Sequence, residues 1–155
     1  MILSSPVFEN GGNIPAKYTC DGENVSPPLV IEDVPAGTKS LVLIVDDPDA
    51  TRLRQGYGGQ AWVHWTMWNI KPEVGEIAEK GVPEGVAQGV TSFEEIGYGG
   101  CCPPSGVEAH RYFFRLYAID MELDLPATTT ASQLEAALVG HIVDQTEMMG
   151  RYART

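Results

Sequence analysis

Six consecutive residues, Ser40-Leu41-Val42-Leu43-Ile44-Val45, constrain this chain more than any other segment. The run is apolar after its first residue and rich in β-branched side chains, so it reads as a central strand buried on both faces. The turn signal Val34-Pro35-Ala36-Gly37 precedes it, and the acids Asp46, Asp47 and Asp49 come at its end. Pro48 offers no amide hydrogen and stops the ladder there. A strand covered on both faces needs neighbours, and two more candidates follow. Ala61 to Ile70 carries bulky residues at both alternating sets of positions, which makes it a second interior strand. Arg111 to Ile119 is a third strong strand.

The remaining segments fill in around these. Residues 1–28 are rich in Gly, Pro, Asn and Ser and suggest loops with one short edge strand. Leu29-Val30-Ile31 is a short apolar run, and 71–110 reads mostly as loop. The C-terminal part changes period. Thr130-Ala131-Ser132-Gln133 is a capping box that opens a helix through Leu138, and Gly140 ends it. Ile142 to Arg151 is expected to form a second short helix. With strands first and helices last, the expected architecture is an antiparallel β domain with small helices at one edge. No repeat or shift of composition divides the 155 residues, so 1–155 is expected to be a single domain.

Charge and cysteines narrow the partners. Asp and Glu number 21 against 10 Lys and Arg, a formal net charge of −11. That balance argues against nucleic acid and against anionic membrane surfaces. No apolar run of about 18 residues exists, so no transmembrane helix and no stable membrane insertion are expected. Met1-Ile2-Leu3-Ser4-Ser5-Pro6 lacks a basic region followed by an apolar core, so no signal peptide is expected. The three cysteines are Cys20, Cys101 and Cys102. An odd count with two adjacent does not read as a secreted disulfide framework, and a reducing cytoplasm is the simpler expectation. Cys20 is expected to be a small buried hydrophobe.

Two separate blocks hold the chemistry. One is Asp46-Asp47-Pro48-Asp49-Ala50 with Trp62-Val63-His64-Trp65; the other is Cys101-Cys102-Pro103-Pro104-Ser105-Gly106 with His110-Arg111-Tyr112. Strand alternation puts His110 and Tyr112 on one face, and His64 on a face with Trp62 and Thr66. If these strands are neighbours, His64, His110 and Tyr112 converge, with Asp47 and Asp49 at the rim. Pro103-Pro104 would keep the intervening loop rigid, and Gly99-Gly100 would let backbone amides approach a ligand. Imidazoles and a phenol beside carboxylates suit a small phosphate-type anion, the carboxylates favouring the imidazolium form. His141, after Gly140, reads as structural.

At these residues the chain resembles the phosphatidylethanolamine-binding protein family, and more closely its prokaryotic branch of Raf-kinase-inhibitor-like proteins. The resemblance runs over nearly the whole chain. It begins with Phe8, Asn10-Gly11, Ile14-Pro15, Lys17-Tyr18-Thr19-Cys20-Asp21-Gly22 and Ser26-Pro27-Pro28-Leu29. Asp47-Pro48-Asp49-Ala50 with Trp62, His64 and Asn69-Ile70 matches one signature. Tyr98-Gly99-Gly100, Cys102-Pro103-Pro104-Ser105-Gly106 and His110-Arg111-Tyr112 match the second, and Leu134, Ala137 and Gly140-His141-Ile142 match the tail.

The resemblance implies a mainly β fold of two antiparallel sheets with Greek-key-like connections and short helices, mostly C-terminal. It implies a pocket for phosphate or phosphoethanolamine-like head groups, lined by Asp47, His64, His110 and Tyr112. Asp49, Trp62, Gly100 and Cys102 would support or border it. It implies a non-catalytic binding or regulatory protein with no cofactor, whose relatives include inhibitors of a protein kinase or protease and are often homodimers. The chain departs from the family pattern at Thr51, where Pro is usual, at Cys101, which replaces a Pro, and at Ile31, near a position often occupied by Trp. Residues 52–60 match nothing in it and read as an exposed basic, Gly-rich loop whose Arg52 and Arg54 would help attract an anion.

The competing readings are an enzyme and a protein inhibitor. Two His and two Asp could hold a divalent metal, or Cys102 could be a nucleophile with His110 as base. No compact ligand spacing supports a metal, and no pseudo-substrate segment marks an inhibitor.

Overall fold

The computed structural model describes residues 1–52 and 60–155. Among the described residues eight strands and one helix follow in chain order: β1 Ile2–Ser4, β2 Leu29–Glu32, β3 Ser40–Asp47, β4 Trp62–Ile70, β5 Glu76–Ile77, β6 Ala87–Gln88, β7 His110–Ile119, α1 Ala131–Leu138 and β8 Ile142–Tyr152. Short 3-10 turns span Ala16–Tyr18 and Asp49–Arg52. The strands form two antiparallel sheets. The smaller has the order β1-β2-β5 and the larger the order β6-β4-β3-β7-β8. β3 and β4 pair directly, while the chain makes a long excursion before β7 returns to the other side of β3. That return brings the two chemical blocks of the sequence side by side.

β3 is buried at every position, as its composition requires. Its alternate residues serve two cores. Leu41, Leu43 and Val45 join Trp65, Met67, Phe114 and Leu116 in a cluster closed on the far side by Leu3, Leu29, Ile31 and Ile77 of the smaller sheet. Val42 and Ile44 join Trp68, Ile119, Leu134 and Leu138 under α1. Burying such a side chain contributes about 1.5–3 kcal/mol, so both faces hold the sheet in place. The capping box at the start of α1 is formed: Gln133 N–H donates to Thr130 Oγ1 and Thr130 N–H donates to Gln133 Oε1. Gly140, at φ +82°, turns the chain out of the helix.

The expected second helix over Ile142 to Arg151 is instead β8, the longest strand, paired along the whole of β7. The segment opens with β-branched Ile142 and Val143, and its even positions from Asp144 to Tyr152 are the more buried set. The free edge of β7 supplies a partner for every second peptide group, and that pairing outweighs the weak helical pattern. The small strands β5 and β6 fall within the stretch read as loop.

The expected disposition of the cysteines is also corrected. Cys20 is not a small buried hydrophobe; it is exposed and bonded to Cys102 across 82 positions of sequence, and Cys101 alone stays free and buried. Of two adjacent cysteines only one can face Cys20, because neighbouring side chains in extended backbone point opposite ways. The odd count therefore hides one bridge. The expectation of a reducing cytoplasm rested on an odd count with two adjacent cysteines, and the Cys20–Cys102 bridge removes that support. Among the described residues no helix is long and apolar enough to cross a membrane.

Candidate functional site

Asp47 closes β3, and Pro48 ends the ladder. Its Oδ1 accepts hydrogen bonds from the amides of Asp49, at 2.8 Å, and Ala50, at 3.1 Å. This side-chain turn fixes the carboxylate, whose Oδ2 lies 2.7 Å from Nδ1 of His110, the first residue of β7. Both side chains are nearly fully buried.

His64 arrives by a different device. Val45 pairs with Trp65 and Asp46 with Val63, so His64 is the extra residue of a β-bulge. The bulge resets the alternation. Thr66 lies opposite Ile44 of the helix-side core, while His64 packs edge-on to Tyr112 of the other core, with ring centroids 5.2 Å apart. The expected common face of Trp62, His64 and Thr66 thus holds for the first two only. The backbone also clamps the ring: His64 Nδ1–H donates to Gly99 O at 2.7 Å, and Gly99 N–H donates to His64 O at 2.8 Å. Gly99 has no room for a side chain, since a Cβ there would sit 2.5 Å from the Phe93 ring.

Tyr112 lies between the two imidazoles in the cluster. It is edge-on to His64 and stacked 6.5 Å from His110. Its hydroxyl is buried and, among the described residues, has no hydrogen-bond partner. Phe93 meets Trp62 and His64 edge-on.

These groups enclose a cavity of about 210 Å³ lined by Asp47, Trp62, His64, Cys102, His110 and Tyr112. Ala50, Phe93, Pro103 and Pro104 complete its wall. All four sequence-based pocket residues, with Trp62 and Cys102 as borders, therefore come together. Asp49 does not line the cavity: it binds Arg111 through both carboxylate oxygens and accepts the Arg111 amide. Gly100 also stands outside it and donates to Asn24 Oδ1 at 2.9 Å. Cys102 lends the wall a disulfide sulfur, which leaves no thiolate for the nucleophile considered above. Arg54 lies outside the described residues, and the side chain of Arg52 is not described. Sequence reasoning missed Phe93 as a wall residue; its signal was a large aromatic set between Ser92 and Glu94-Glu95.

Electrostatics correct one expectation. Burial holds the His64 pKa below the ordinary 6.5, against the pull of the Gly99 carbonyl and of Asp47, so the neutral ring is favoured near neutrality. Burial pushes the Tyr112 hydroxyl well up, so it remains a donor. Arg111 holds Asp49 below the usual carboxylate range. No Lys or Arg among the described residues lines the cavity. No group of three or more His, Cys, Asp or Glu among them is placed to hold a metal. A broader groove of about 700 Å³ next door shares His110 and is flanked by Arg111 and Arg151.

Comparison with known proteins adds the following. The family model for "Phosphatidylethanolamine-binding protein" matches residues 4–153. A UPF0098 protein of Methanothermobacter thermautotrophicus is 43% identical over 159 aligned residues, covering 99% of each chain. The crystal structure of a PEBP homologue, CT736 of Chlamydia trachomatis, superposes with a TM-score of 0.88 at 42% identity, covering 99% of this chain and 97% of that one. Escherichia coli YbcL, described as a new member of the mammalian PEBP family, gives a TM-score of 0.88 at 27% identity over 99% of this chain and 98% of its own.

Proposed function

The chain belongs to the phosphatidylethanolamine-binding protein family, and from that premise we propose that it is a non-catalytic binding protein. Its cavity, walled by Asp47, His64, His110 and Tyr112, takes a small anion of the phosphate or phosphoethanolamine type. The observation that carries this reading is the convergence of Asp47, His64 and His110 on the wall of one cavity with Tyr112, whose buried hydroxyl has no partner among the described residues. Leaving such a group unpaired costs roughly 1–3 kcal/mol. A guest oxygen would remove that cost. Size agrees: 210 Å³ holds roughly seven waters at about 30 Å³ each. That suits a head group and lies below the roughly 300 Å³ at which drug-sized pockets begin.

Titration calorimetry with inorganic phosphate tests it. The wild-type chain should bind saturably, and Tyr112→Phe should weaken binding at least tenfold, as the loss of one hydrogen bond to a charged group implies. No saturable heat, or equal affinity in Tyr112→Phe, would overturn the reading.

A further inference from the structure

We propose that the Cys20–Cys102 bridge is a reversible redox site, opened by the dithiol of a thioredoxin-class protein, and that opening it loosens the cavity wall and weakens anion binding. This inference rests on the anion-pocket reading above and names the regulation of that same site.

The bridge lies between two hollows. On one side is the cavity, to whose wall Cys102, Pro103 and Pro104 contribute three consecutive residues. On the other is a hollow of about 290 Å³ lined by both cysteines together with Asn24, Phe93, Ile96 and Tyr98. Phe93 and Cys102 are common to both. Cys20 and Cys102 are exposed, so a thiolate in the outer hollow meets the bridge without unfolding the chain. Phe93 and Ile96 are exposed large apolar side chains on the same rim, and they offer a dithiol protein contact surface beside the sulfurs.

The other ties of this loop define what the bridge holds. Up to Cys101 the backbone is anchored without it. Gly99 N–H donates to His64 O at 2.8 Å, Gly100 N–H to Asn24 Oδ1 at 2.9 Å, and Cys20 N–H to Cys101 O at 3.1 Å. The chain is next tied at Ser105, which bridges to Arg154, and at Gly106, whose N–H donates to Arg154 O at 3.2 Å. Among the described residues no backbone hydrogen bond holds Cys102, Pro103 or Pro104, and the two prolines have no amide hydrogen to give. The disulfide is therefore the tie that fixes this part of the wall.

The same anchors make the change reversible. With the bridge open, the bond from Cys20 N–H to Cys101 O still keeps Cys20 beside the residue that precedes Cys102. Cys101 does not compete for either partner. Its thiol is buried, and burial pushes its pKa up, so it stays protonated and out of exchange.

The exchange balances. A thiolate of the dithiol attacks Sγ of Cys20, which lines the outer hollow and not the cavity. The Cys20–Cys102 bond breaks, and its electron pair leaves on Cys102 Sγ, which takes a proton. The second thiolate of the reagent attacks the mixed disulfide, and Cys20 leaves and is protonated in turn. The bridge gains two electrons and two protons, and the reagent departs as a disulfide.

Phosphate titrations of the full chain, oxidised and after reduction by dithiothreitol, test this without denaturant. Dithiothreitol should open the bridge in the folded state, and iodoacetamide should then label Cys20 and Cys102 but not Cys101. Phosphate affinity should fall at least fivefold and return on reoxidation. By reciprocity, phosphate that saturates both forms should raise the ratio of reduced to oxidised dithiothreitol at half-reduction by the same factor. Ile96→Asp, which stands outside the cavity, should slow reduction by thioredoxin at least fivefold and leave phosphate affinity unchanged. Equal rates of reduction by thioredoxin in that variant and the wild type would overturn the assignment of the reductant. A bridge that opens only in urea, or a reduced chain that unfolds or binds phosphate as tightly as the oxidised one, would overturn this inference and leave the anion pocket standing. Binding by neither form would overturn both.

Discussion

Asp46 and Asp47 are neighbours at the end of one strand, both nearly fully buried, and they face opposite layers. Asp47 faces the cavity, where its two oxygens meet two amides and an imidazole. Asp46 faces the other side of the sheet, where Arg115 bonds one oxygen and the other has no partner among the described residues. Burial pushes Asp46 up to about 6 in spite of that guanidinium. Equal burial thus leaves the two carboxylates unequally hydrogen-bonded. What separates them is how many of their lone pairs the fold has met. Alternation along one strand lets a polar site and a merely tolerated acid sit one residue apart.

The pocket layer is also the cross-linked one, and breaking its staple should have the largest effect. Cys20→Ser opens a loop of 82 positions, which in the chain-entropy account costs about 4.5 kcal/mol. Urea unfolding should show that loss, and a change below about 1 kcal/mol would mean that the layer is held by its packing alone. Next in size is Asp47→Ala. It strands the His110 Nδ1–H and two amides, and should cost about 4 kcal/mol together with phosphate binding. Retained binding with full stability would dissolve the contrast between the two acids.

Asp46→Asn should act in the opposite direction. The folded pKa of Asp46 is raised from 3.8 to about 6, so the native state holds an extra proton between these values. Its stabilising contribution is full below about pH 4 and is lost as pH rises through about 6. The difference is on the order of 3 kcal/mol. Relative to wild type, Asp46→Asn should therefore gain stability by about that amount between pH 4 and 7, with phosphate affinity unchanged. Parallel stability curves for the two proteins across that window would contradict the assignment.

The same contrast explains what could be read in advance. β3 and β4 were legible because strands covered on both faces carry bulky residues at both alternating sets of positions, and β7 because its aromatic residues favour a strand whose buried and more exposed positions alternate. β8 was not, because an edge strand with one wet face carries a weak pattern and owes its form to β7. β5 and β6 have two residues each, too few for any period to show. Within the site, His110, Tyr112 and Asp47 follow from strand ends and alternation. The inward turn of His64 depends on a bulge that no glycine or proline announces, since it arises from register with β3. Cys20 lies far from Cys102 in sequence, so the choice between adjacent cysteines is made by backbone direction alone. Phe93 enters the wall because Gly99 leaves room for its ring, a contact between loop residues that no periodicity encodes.

The chain carries its own control for the central claim. His64 and His110 line the cavity, while His141 lies exposed at the end of α1, 2.8 Å from Asp120. Side-chain NMR of the three imidazoles during a phosphate titration reads all of them at once. The rings of His64 and His110 should shift together and saturate with one affinity, and His141 should stay still. Three rings that move in parallel, or a His64 that never responds, would contradict the account.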